Sequence, residues 1–125
     1  MKVYYQSDLQ REAIHQLLKR FGKIYESMDM VDIEYFCAYY LLTLESVREE
    51  SKSYLEEELI DFNGLSCEFE DEDPRKYTIM VAWDLFNALG ELKLMDLISK
   101  VNTEEWEYIL KALDYRKKGL RLKEI

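Results

Sequence analysis

The sequence predicts an all-α protein: a single-domain bundle of four to five helices around a long central helix, with room for a minor short strand or hairpin. Three observations carry that prediction. Only four glycines and one proline are spread over 125 residues, too few turn formers for a β-rich fold. Each glycine (Gly22, Gly64, Gly90 and Gly119) follows a helix-compatible run, the position where a left-handed residue closes a helix. The stretch from Val31 to Phe62 contains neither Gly nor Pro. At 125 residues the chain is one domain, 1–125, able to bury about two thirds of its unfolded surface.

In chain order, residues 1–6 (MKVYYQ) suit a short extended arm or an edge strand. Ser7 or Asp8 caps a first helix in which Leu9, Ala13, Ile14, Leu17, Leu18 and Phe21 recur at helical spacing. A stop or kink is expected near Gly22. Ser27 or Asp29 then caps the central helix. Its first half, Tyr35 to Leu44, is apolar or aromatic on every side, as in a helix packed all round. Beyond Glu45 the apolar positions thin to a stripe of Val47, Tyr54, Leu55 and Leu59. Continuous over Val31 to Phe62, the helix would run roughly 45–50 Å at 1.5 Å per residue.

Gly64 is expected to end that helix. Leu65 to Glu70 alternates apolar and polar residues, the period of a short strand, and fits equally a loop that tucks in Leu65, Cys67 and Phe69. Asp73-Pro74 starts the next helix with a carboxylate at the cap and Pro at the first helical position. That helix runs to Gly90, although Thr78 to Trp83 carries β-branched and aromatic character. Residues 91–101 predict a short amphipathic helix through Leu92, Met95, Leu97, Ile98 and Val101. Asn102 or Thr103 caps the last helix, whose apolar stripe is Trp106, Ile109, Leu110 and Leu113. Arg116, Lys117 and Lys118 in its final turn suit the dipole.

Catalysis has little to stand on. His15 is the sole histidine and the two cysteines, Cys37 and Cys67, are far apart, so neither a nucleophilic triad nor an ordinary zinc site can be assembled. Arg11 and His15 have too few residues between them for the Arg–His pair of helical ribonucleases of the HEPN type. Glu12 to His15 is a single Glu-x-x-His element where a di-metal bundle needs two, and no spaced acids around a central Gly for a calcium loop and no Gly-rich phosphate loop occur. The expectation is a protein that is not an enzyme, with no cofactor or metal. Widely spaced thiols outside any CxxC pair predict an intracellular, cytoplasmic protein. The longest apolar run, Tyr35 to Leu44, is too short for a membrane span.

Charge is the strongest clue. The chain carries −9 overall, and residues 26–73 alone carry sixteen Asp/Glu against two Lys/Arg, or −14, while the flanking blocks are +3 and +2. Such a field repels nucleic acid and attracts basic surfaces. Glu56, Glu57, Glu58 and Asp61 fall in the last turns of the predicted central helix, where the dipole disfavours negative charge. Only Lys52 is spaced to pair among them, with Glu56. Glu68, Glu70, Asp71, Glu72 and Asp73 follow without a base. Tyr54 sits among these acids, and tyrosine with carboxylates suits the gripping of Arg-rich surfaces. The other tyrosines read as core-edge residues, rings buried and hydroxyls in water.

These ten residues, Tyr54 included, are therefore the candidate partner-binding set. The function expected is a non-enzymatic acidic interaction protein that occupies the basic nucleic-acid-binding surface of a nuclease or defence effector, its carboxylates standing in for phosphates. An immunity protein or antitoxin capping a basic toxin is the close alternative. A structural or regulatory helical module binding through apolar surface is the distant one. The partner is a basic protein, without direct contact to nucleic acid or membrane, and a homo-oligomer is compatible with this reading. The competing view of the acids is a solvated face partly covered by Arg116 to Lys123.

Overall fold

The computed structural model describes residues 2–125, and it is all-α with one very small hairpin. Helix α1 spans Asp8–Arg20. The Ser7 hydroxyl accepts from the Gln10 amide at 3.1 Å, satisfying one of the orphan N–H groups of the first turn. The helix stops at Phe21, and Gly22 takes φ +67°, the left-handed conformation that turns the chain out of a helix. Strands β1 (Ile24–Tyr25) and β2 (Met30–Val31) pair antiparallel, Ile24 with Val31 and Tyr25 with Met30. Asp29 is left-handed in the turn between them. The minor hairpin thus lies before the central helix rather than at Leu65 to Glu70, and the cap of the central helix is Asp32, not Ser27 or Asp29.

Helix α2, Ile33–Leu42, is the hub. Every residue from Tyr35 to Leu44 is buried, as the all-round apolar run predicts. It packs chiefly against α5 (Arg75–Asn87), and also against α7 (Thr103–Lys118) and α1. It is ten residues long, so the continuous helix to Phe62 does not form. At its end the Thr43 hydroxyl bonds back to the Tyr39 carbonyl, and the Arg48 Nε caps the Thr43 carbonyl at 3.0 Å. Helix α3 (Arg48–Ser51) follows, continued by a 3₁₀ turn at Lys52–Leu55. Helix α4 is Phe62–Ser66.

The break has a packing cause. Phe62 stacks on Trp83 of α5 with ring centroids 6.1 Å apart and lies 5.4 Å from Phe86, which also meets Tyr35 edge-on at 4.8 Å. In a continuous helix Phe62 would lie about 40 Å from Tyr35. Folding the chain back brings Leu55, Phe62, Leu65 and Phe69 into the core. Gly64 is therefore inside α4, not at a helix end. A Cβ there would collide with the Asp61 carboxylate and stand 3.1 Å from the Tyr54 ring.

Helix α5 opens one residue later than the Asp-Pro pair predicts: Pro74 is the cap and Arg75 the first helical residue, its amide donating to Asp73 Oδ1 at 2.9 Å. Thr78 to Trp83 is helical. Helix α6 is Leu94–Lys100, and α7 is capped by Asn102, whose Oδ1 accepts from the Glu105 amide at 2.8 Å. The stripe predicted for α7 is displaced. Ile109, Ala112 and Tyr115 face the core, whereas Leu110 and Leu113 are exposed. The N-terminal arm is extended and tied down: the Tyr40 hydroxyl donates to the Tyr4 carbonyl, and the Tyr4 amide donates to the Tyr115 hydroxyl at 2.9 Å. Tyr39 and Tyr40 are thus wholly interior, not core-edge residues with wet hydroxyls. No helix among the described residues is long and apolar enough to cross a membrane.

Candidate partner-binding surface

The ten candidate residues lie on four connected pieces: the 3₁₀ turn holding Tyr54, the loop 56–60, the start of α4, and the turn 67–73 that leads into α5. Because α2 ends at Leu42, Glu57 and Glu58 lie in a loop, while Glu56 is the C-cap of the short 3₁₀ turn Lys52–Leu55. Asp61 is the N-cap of α4, its Oδ1 accepting from the Gly64 amide at 2.9 Å, a position where the dipole favours a carboxylate. The expectation of acids set against a helix dipole therefore survives only for Glu56, at the end of a single 3₁₀ turn, and is overturned for Glu57, Glu58 and Asp61. What remains is the charge itself and the way tertiary contacts share it out.

Tyr54, Asp61 and Glu68 are brought together. The Tyr54 hydroxyl donates to Glu68 Oε1 at 2.7 Å, and its ring flanks Gly64 beside the Asp61 carboxylate. The hydrogen bond to Glu68 raises the phenol above its ordinary range. Three other acids are neutralised. Glu58 binds the Lys23 ammonium, which also lies 4.0 Å over the Tyr35 ring, and the Glu58 hydrogen bond raises the Lys23 pKa. Lys76 Nζ reaches Asp71 at 2.8 Å, and that bond lowers the Asp71 pKa. Arg75 Nη2 holds Asp73 at 2.7 Å, lowering it likewise through its hydrogen bonds.

Glu56, Glu57, Glu70 and Glu72 are exposed and make no ion pair among the described residues. The spacing of Lys52 and Glu56 suggested a pair that does not form. Nor does the basic C-terminal segment mask the acids: Arg116 pairs with Glu34 at 3.5 Å and Lys118 with Asp114 at 3.0 Å.

Two features of the surface escaped the sequence reading. Leu59, placed there in a buried stripe, is 80% exposed in the acidic loop. Arg75 and Lys76 act as the clamps of the 67–73 turn. The signal for them was legible: two cations in the first turn of a helix oppose its dipole, so nearby acids must hold them. Among the described residues no group of three or more His, Cys, Asp or Glu is arranged to hold a metal ion. Comparison with protein-family models, curated proteins and solved structures finds no match for this chain.

Proposed function

We propose that this is a non-enzymatic interaction protein whose acidic surface binds a basic protein surface of the kind that otherwise holds nucleic acid, as on a nuclease or defence effector. A basic toxin capped by its immunity protein or antitoxin is the same chemistry in another setting. The observation that carries the reading is the loop 56–60. It leaves the helical frame and presents Leu59 to solvent in the stretch that carries the unpaired Glu56 and Glu57 and leads to Asp61, while Tyr54, just before it, bonds Glu68. An exposed apolar side chain and a tyrosine ringed by charge resemble the anchor-and-rim composition of protein interfaces. Four unpaired carboxylates supply steering toward a basic surface.

Glu57, Glu70 and Glu72 are the positions to reverse, since none of them caps a helix or pairs with a base. The Glu57→Lys/Glu70→Lys/Glu72→Lys variant should keep its fold, as exposed substitutions of this kind stay within about 0.5 kcal/mol each. Affinity capture from native lysate with wild type should enrich basic nucleic-acid-binding proteins. The variant and high salt should both lose them. Capture that is indifferent to both would remove the proposal.

A second reading has its own observation. On α6, Leu94 is 65% exposed, Met95 66% and Ile98 47%, an apolar face suited to a helical module that binds through non-polar surface. Capture abolished by Met95→Asp/Ile98→Asp and untouched by the charge reversals would favour it.

A further inference from the structure

One groove gathers the opposite charge. It runs between the outer face of α1 and the segment from Leu42 to Glu56, with a volume of about 530 Å³, within the usual range for small-molecule sites. Its floor is apolar: Leu9, Ala13 and Leu17 on α1, spaced four residues apart, face Leu42 and Leu55. The small Ala13 side chain leaves the middle of the α1 wall open. Leu9 is 58% exposed, so the apolar floor is partly wet.

The rim holds Arg20, Arg48 and Lys52. Elsewhere among the described residues Lys23, Arg75, Lys76, Arg116 and Lys118 pair with carboxylates, while other bases such as Lys93 and Lys117 make no ion pair. Arg20, Arg48 and Lys52 have no ion pair among the described residues, although acids outnumber bases 26 to 17. Arg48 gives its Nε to the Thr43 carbonyl, and Arg20 lies 5.2 Å over the Phe21 ring. Glu49 and Glu56 share the rim, leaving it one net positive charge.

We infer that this groove binds a single-chain amphiphile with a monoanionic head, such as a medium-chain fatty carboxylate. The apolar chain lies along Leu9, Ala13 and Leu17, burying floor that is otherwise in water. From Leu9 to Arg20 the α1 wall is about 16 Å long, room for an extended chain of that class. The carboxylate is drawn to the basic rim by charge-assisted hydrogen bonds. One net positive charge matches a monoanion, while the two rim acids disfavour a dianionic phosphate. The groove adjoins the acidic surface at Glu56, which lines its rim, but Glu57, Glu70 and Glu72 do not line it, so reversing those three charges tests the function proposed above without touching this site.

The test is an amide chemical-shift titration of the full chain with dodecanoate below its micellar concentration. Dodecyl phosphate and dodecyltrimethylammonium are run in parallel. Saturable shifts confined to α1 and residues 42–56 are expected, with dodecanoate at least about tenfold tighter than the cationic amphiphile, as one charge-assisted bond requires. Ala13→Trp, which fills the groove from a helix surface, should abolish binding. Lys52→Glu, at an exposed position, should weaken it about tenfold while leaving the fold intact. The inference is overturned by absent saturation, by equal binding of the cationic amphiphile, or by tighter binding of the phosphate. Shifts centred on Leu94, Met95 and Ile98 would overturn it too, as would Ala13→Trp binding like wild type.

Discussion

Replacing Arg75 with Met tests how the acidic turn is held. The guanidinium joins three segments. It grips Asp73 through Nη2 at 2.7 Å and Nε at 3.2 Å, binds Glu50 Oε1 at 3.1 Å and donates to the Ser46 carbonyl at 3.4 Å. It also stands 4.9 Å over the Phe69 ring. The Arg75 side chain is 39% exposed, so each ion pair is screened and contributes about 0.2–1 kcal/mol. The contact with Phe69 adds about 0.5–1 kcal/mol. Methionine keeps the apolar stem against Phe69 but removes the charge. The expected loss is therefore about 1–2.5 kcal/mol at neutral pH, read by urea unfolding followed by circular dichroism.

The pH dependence checks the cause. Arg75 holds the Asp73 carboxyl below its ordinary value of 3.8, chiefly through the side-chain hydrogen bond. The folded protein therefore binds that proton less readily than the unfolded chain. The stabilisation is complete above the unfolded value and is lost as pH falls through the lowered folded value. The gap between wild type and Arg75→Met should close in that acid range, and should shrink in high salt. A loss below about 0.5 kcal/mol would refute the clamp, because that is the scatter of ordinary surface substitutions. An undiminished gap in acid and in salt would show that the contact of the guanidinium with the Phe69 ring, not its carboxylate pairs, holds the turn.

Two more outcomes are expected. Native protein should expose one fast thiol to titration, Cys67, while Cys37, fully buried and raised to about 12 by desolvation, should react only on unfolding; two fast thiols would contradict the packing of α2. Phe36→Ala should cost about 3–5 kcal/mol in the same urea assay, because its ring is wholly buried between Tyr40 and Tyr115.

Local chemistry determined much of this protein. The unbroken apolar run from Tyr35 to Leu42 specified a hub buried on all sides. Ser7, Asn102 and the Asp73-Pro74 pair marked three helix starts, because a cap acts on amides only two or three residues away. The sign and place of the net charge were equally plain. The order of the residues showed that the acids crowd positions 26–73.

Only the tertiary structure decided where the central helix breaks and which acids stay free. Periodicity over residues 47–59 is satisfied as well by one long helix as by a chain that turns back. The choice is made by burial that helix geometry forbids: Phe62 can reach Phe86 and Trp83 only if the chain reverses. That reversal turns Leu59 outward and makes Asp61 a helix cap. Spacing proposed Lys52 for Glu56, a pair that does not form; local pairs do form at Asp71, Asp73 and Asp114, but Lys23 to Glu58 and Arg75 to Glu50 join residues far apart in sequence. A sequence fixes the number of charges and their order. Which of them meet depends on distances through space, and those exist only once the core has closed.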